Sequence, residues 1–207
     1  MKELETKIEK CTICKSDAKI SDYILSIKPT CYVGSEHPKV MLIGHSPAVR
    51  TSEPATVVLK LDRVNQPLFR YINEKILFPL CIELSEVYAT NLIKCQTSSL
   101  PEDIKKEVIF FDRCFAHCKN LLEDEIEKVK PELIISLSET VLNILSLEYM
   151  GKKLKMKDSF AQLLKLPINE KTYNYISLVH IPKYNNSHVE RHYFPEQTER
   201  LQKIAWR

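Results

Sequence analysis

The chain reads as an α/β protein: a three-layer α/β/α sandwich around a central, mostly parallel sheet of about four strands. Two patterns predict it. Short, continuously apolar runs such as Val40-Met41-Leu42-Ile43 and Leu133-Ile134-Ile135 suit strands buried on both faces. Between such runs lie stretches with apolar residues at helical spacing, long enough to serve as crossovers. That alternation specifies parallel pairing through right-handed connections. At 207 residues, one domain spanning 1–207 is expected, with residues 1–30 as a polar leader.

The leader carries Cys11-Thr12-Ile13-Cys14 and ends at Pro29. The first strand, 39–44, closes on Gly44. Residues 45–63 read as irregular around Pro47 and Pro54, with Thr56–Leu59 able to extend. Leu68, Phe69, Ile72, Ile76 and Leu77 fall at helical spacing, which predicts a helix over 68–80 with Pro79 near its end. Residues 86–93 predict the second strand. After a polar loop from Gln96 to Pro101 comes a long helical pattern, expected to break or kink around Cys114–Cys118, with its acidic residues facing away from the apolar stripe. Pro131 stops it. A third strand follows at 132–137, a helix at 139–147, and a basic loop or short hairpin at 152–158. Tyr173–Val179 alternates into a fourth strand that ends at His180. A closing helix is expected from about Pro195 to Ala205.

Composition removes several classes of function. Thirty basic and 27 acidic residues leave a net charge of +3, which permits a local nucleic-acid footprint but excludes a wholesale basic protein. Only three glycines (Gly34, Gly44, Gly151) exclude a P-loop and a G-x-G-x-x-G fingerprint. No apolar run approaches the roughly 18 residues of a membrane span. The charged start lacks a signal-peptide core, so a cytoplasmic location and no membrane partner are expected. Seven cysteines in a reducing compartment argue against a disulfide framework. Cys11-x-x-Cys14 has metal-ligand spacing, and spacing alone leaves iron–sulfur and zinc equally open. Buried free thiols suit Cys31 and Cys81.

Sheets of this kind bind ligands at the carboxyl ends of their strands. The segments there are Gly44-His45-Ser46-Pro47-Ala48, Asn91-Leu92-Ile93-Lys94-Cys95 and His180-Ile181-Pro182-Lys183-Tyr184-Asn185-Asn186. An asparagine amide offers planar donors and an acceptor suited to the polar edge of a heterocycle. An imidazole can donate to an oxygen that becomes negative during reaction.

Taken together, the Cys-x-x-Cys leader, the Gly44-x-x-Pro47 strand end, Tyr88-Ala89-Thr90-Asn91-Leu92-Ile93-Lys94-Cys95, a later cysteine before Lys130-Pro131, and a final strand ending in histidine resemble the uracil-DNA glycosylase superfamily. The nearest branch is the family-4-like group that carries a [4Fe-4S] cluster, and the likeness runs from Cys11 to about Asn186. The resemblance implies a cluster held by Cys11, Cys14, Cys95 and Cys118, with Cys114, one helical turn away, as the competitor for the fourth place. It implies that Asn91 reads an everted base and that His180 steadies the charge on the departing base. Gly44, Ser46 and Pro47 would line the pocket, with His45 where relatives carry an acidic residue and Phe69 as the stacking ring. Pro182, Lys183, Tyr184, Asn185 and Asn186 would meet DNA, and Arg50 and Arg191 could meet phosphates. The implied activity is hydrolysis of the N-glycosidic bond of uracil or a related damaged base by a monomer acting on DNA. The rival expectations are a weak or inactive relative that binds DNA or a modified base, and a four-cysteine zinc interaction module. The sequence departs from the family pattern at Ala48, at the missing Pro-Phe-x-Gly stretch and at His180-Ile181-Pro182-Lys183; Glu53 and Asp62 are the downstream carboxylates that could replace the usual acid.

Overall fold

The computed structural model describes residues 1–25, 27–47, 56–98, 108–180 and 193–204, without the side chains of 108 and 109. Among these residues six strands form one mixed sheet: β1 (Tyr32–Val33), β2 (Val40–Gly44), β3 (Val87–Asn91), β4 (Leu133–Leu137), β5 (Leu164–Ile168) and β6 (Lys171–Leu178), in the order β1-β3-β2-β4-β6-β5. The four central strands run parallel to their neighbours, and β1 and β5 close the two edges antiparallel. Every residue of β2, β3 and β4 is buried, which is why these segments show no polar alternation; their polar members, Thr90, Asn91 and Ser136, are buried too.

The four strands expected from sequence are the four parallel ones. The two edge strands were not legible. β1 is only two residues long, and β5 contains Pro167, which an edge strand accepts because one side of it needs no ladder partner. Asn169, at φ 52°, helps the tight turn from β5 into β6.

Seven α-helical segments accompany the sheet among the described residues: α1 (Lys2–Lys10), α2 (Ile13–Ser16), α3 (Pro67–Tyr71), α4 (Val108–Val129), α5 (Glu139–Met150), α6 (Met156–Ser159) and α7 (Phe194–Gln202). α5 starts on the Ser138 hydroxyl, which accepts from the Val141 N–H, and ends on Gly151 in the left-handed conformation. Four expectations need correction. α4 is unbroken through Cys114 and Cys118, because neither residue breaks a helix and both join its buried stripe as small apolar groups. The expected helix over 68–80 holds one α-helical turn and then widens to a π-helix at Ile72–Leu77, where the Phe78 N–H reaches back five residues to the Asn73 carbonyl. Thr56–Leu59 does not extend into a strand; Val58–Lys60 forms a tight 3-10 turn. The basic 152–158 segment runs into α6 rather than a hairpin.

The leader is tied to the loop after β3. The Leu25 N–H donates to the Gln96 carbonyl at 2.8 Å, the Gln96 N–H to the Ile27 carbonyl at 2.9 Å, and the Ser98 N–H to the Tyr23 carbonyl at 2.8 Å. Asp17 adds a clip to α4, accepting from Arg113 and lying 2.7 Å from His117 Nε2; chiefly through Arg113, its carboxyl is held well below the usual carboxylate range. Under the leader, Cys14, Ile20, Ile24, Ile93, Cys95, Phe110, Cys114 and Cys118 form a second apolar cluster beside the main core. No described helix is long and apolar enough to cross a membrane.

Candidate functional site

Parallel register places Gly44 directly beside Asn91 at the carboxyl ends of β2 and β3. The pairing continues past both ends: the Leu92 N–H donates to the Gly44 carbonyl at 2.7 Å and the Ile93 N–H to the His45 carbonyl at 2.9 Å. Asn91 is nearly enclosed, at 4% exposure. A β-carbon on Gly44 would lie 2.5 Å from Asn91 Oδ1 and 2.7 Å from Leu59 Cδ2. The asparagine amide and an aliphatic side chain therefore share the space left open by the glycine.

Leu59 is the residue that sequence reasoning missed. It sits at φ 55° and Lys60 at φ 53°, a left-handed pair without glycine that costs of order 1–3 kcal/mol per residue and persists only where surrounding packing enforces it. The Val57-Val58-Leu59 run suggested a strand, and nothing local announced the turn. Phe69 packs against the main core from α3. A ring that meets His45 is Phe111 of α4, edge-on with centroids 4.5 Å apart. Its only signal in the sequence was a place on a helical stripe.

His45 follows β2. The residue is half-buried, but its Nε2 is enclosed and has no hydrogen-bond partner among the described residues; Nδ1 lies 3.2 Å from Ser46 Oγ. Burial first, and the charge of His180 second, lower its pKa to about 4. The ring is neutral near pH 7, so it can accept or donate one hydrogen bond at Nε2 according to tautomer. The sign for stability follows. An unfolded histidine titrates near about 6.5, so the contribution of neutral His45 is complete above that value and is lost as pH falls toward 4. Urea unfolding between pH 4 and 8 should show this slope, and His45→Gln should flatten it.

His180 is exposed at the end of β6, near enough to His45 to act on it electrostatically. Its approach is braced by Tyr71, whose hydroxyl donates to the Val179 carbonyl at 2.7 Å and also meets Gln197 Oε1 at 3.2 Å. Gln197 in turn donates to the Lys75 carbonyl at 2.7 Å. Tyr71→Phe is expected to lower stability by about 1 kcal/mol, read by thermal melting. Pro47 is buried and Ser46 half-buried beside His45. Asp62 is exposed and accepts from Thr56 Oγ1 at 3.1 Å. Pro182, Lys183, Tyr184, Asn185 and Asn186 lie outside the described residues, as do Ala48, Arg50, Glu53 and Arg191.

A family model described as the uracil DNA glycosylase superfamily matches residues 31–206. The chain belongs to that superfamily. Its members act on DNA, and membership supports a glycosylase-like function. No curated protein matches the sequence. The matched segment contains Gly44, Asn91 and His180, so the superfamily assignment covers the strand ends just described. It begins beyond Cys11 and Cys14.

The cysteines of this glycosylase relative are all free thiols. Cys14 is clustered with Cys95, Cys114 and Cys118, and acting as the thiol donor toward them pushes its own pKa up. Cys118 is drawn down to about 6, first by the Cys14 thiol and further by the Lys94 N–H and ammonium. Three of the four cysteines expected as ligands, Cys14, Cys95 and Cys118, thus come together, and Cys114 joins them. Cys11 packs instead against Leu4, Ile8 and Leu121. The donor set of the nest, four buried thiols, has the chemistry that an iron–sulfur cluster or a structural zinc ion takes. The thiols touch one another, and among the described residues no group of three or more His, Cys, Asp or Glu side chains is set out as a ready metal site.

Proposed function

We propose that the chain hydrolyses the N-glycosidic bond of uracil or a related damaged base in DNA, acting as a monomer of the iron–sulfur kind. The observation that carries the reading is the Asn91 amide lying over Gly44, with His45 at the end of the adjacent strand β2 and His180 at the same sheet edge, after β6. In this reading an everted base enters beside Asn91, whose amide pairs with the polar edge of the base. Leu59 supplies an aliphatic face in place of the family's aromatic ring. As the C1′–N1 bond breaks, its electron pair passes to the base, and His180 donates to the oxygen that gathers the charge. Water bonds to C1′ and gives its proton to solvent, from which the departed base anion is neutralised. With His45 Nδ1–H directed at Ser46 Oγ, Nε2 is left as an acceptor that can orient this water once base entry opens its enclosed side. The segment 182–186 contacts the DNA strand.

The cofactor proposed is a [4Fe-4S] cluster held by Cys14, Cys95, Cys118 and either Cys114 or Cys11; bound there, it would pin the leader and the loop after β3 to α4 without entering the chemistry. Iron and acid-labile sulfide in an anaerobically purified sample, with visible absorption, would support it; zinc alone would overturn it.

Uracil excision from a labelled oligonucleotide by the cluster-loaded protein tests the activity. Strand scission after alkali is expected, falling about 100- to 1,000-fold in His180→Ala. No excision, or equal excision by the variant, overturns the proposal. One observation favours a second reading, a base-binding relative without turnover: neutral His45 occupies the place of the family's acid. Salt-sensitive oligonucleotide binding with no excision would point there.

A further inference from the structure

We infer that the buried Lys94–Glu125 pair is a positioning unit that sets the Asn91 peptide and links it to the cysteine nest; this rests on the base-reading role proposed for Asn91. Glu125 is 0% exposed and Lys94 5%. Lys94 Nζ is paired with Glu125 Oε2. The other carboxylate oxygen accepts from Thr90 Oγ1 at 2.8 Å, Tyr88 OH at 2.9 Å and Cys31 Sγ at 3.1 Å. The remaining two ammonium protons go to Thr90 Oγ1 at 2.7 Å and to the Asn91 carbonyl at 2.9 Å. All three donors of the ammonium are thereby used.

The geometry follows from this saturation. Turning the Asn91 peptide would strand a charged donor in an enclosed space, a penalty that holds the carbonyl where it is. A fixed peptide fixes the Cα–Cβ direction, and so the place of the amide over Gly44. On its other side the unit reaches the nest, because Cys95, one of its buried thiols, is the next residue after Lys94. Apolar residues of similar size in place of a buried ion pair often leave stability unchanged or raise it. Here the pair is instead enclosed by the polar groups of Thr90, Tyr88 and Cys31, each bonded to it, as a positioning unit requires.

The test compares wild type, Lys94→Met, Glu125→Leu and the double variant. Removing both charges together is expected to restore the melting temperature that either single change lowers. Activity is not expected to return: kcat for uracil excision should stay about 100-fold down, as for a misplacement of about 1 Å, with KM little changed. A second readout is independent of catalysis. The side-chain amide resonance of Asn91, assigned by its loss in Asn91→Ala, should shift in the double variant. Should that variant fail to fold, Glu125→Gln, which keeps an acceptor for Tyr88 and Thr90, replaces it in the same two measurements. An unmoved Asn91 resonance overturns the positioning role whatever the activity. Absence of excision in wild type with a shifted resonance overturns the glycosylase reading and leaves the positioning role standing.

Discussion

Gly44→Ala should all but abolish base excision while leaving the protein folded. Gly44 is not in a left-handed conformation, so alanine fits its backbone and the conflict is one of space alone. The added carbon would lie 2.5 Å from Asn91 Oδ1 and 2.7 Å from Leu59 Cδ2, distances that carbon atoms do not tolerate. Leu59 is held by its turn and by the core, so the asparagine amide is the group that gives way. Overpacking of this kind costs about 1–3 kcal/mol. Losing an oriented polar group at the reacting base costs about 100- to 1,000-fold in rate. Excision time courses beside urea unfolding would separate the two effects. Near-normal excision by the alanine variant would mean that the amide does not work from this position.

The largest loss of stability is expected from Glu125→Leu as a single change. It strands the Lys94 ammonium in an enclosed site and removes the acceptor used by Tyr88, Thr90 and Cys31. Breaking one side of a buried pair costs about 3–5 kcal/mol, a large part of the roughly 5–15 kcal/mol that holds a domain of this size folded. Linear extrapolation from urea denaturation measures it. A loss under about 1 kcal/mol would show that water reaches the ammonium once the carboxylate is gone.

The main features of the fold were legible because burial on two faces leaves a mark in the sequence. Val40–Gly44 and Leu133–Leu137 are almost wholly apolar for that reason, Val87–Ala89 opens β3 in the same way, and all three are central parallel strands. The edge strands left weaker marks, being short or interrupted by proline. Glu125 shows where helical pattern reading fell short. It stands seven residues beyond Cys118, on the buried stripe of α4, where the acidic residues were expected on the opposite face. An acid at a core-facing position of a helix was the available sign that a buried cation stood opposite it. Leu59 left none, since its left-handed conformation is imposed by packing on Gly44 rather than by its own side chain.

By itself, the amino-acid sequence determined the alternation of strands and crossovers, and with it the sheet end where Asn91, His45 and His180 stand. Tertiary structure decided which thiols meet Cys14, that Leu59 and Phe111 close on the candidate site, and that Lys94 finds Glu125. The difference is one of range. Periodicity records the solvent exposure of each residue along its own element, whereas these contacts join segments distant in the chain and exist only once the leader, the Val58–Lys60 turn and α4 have packed against the sheet.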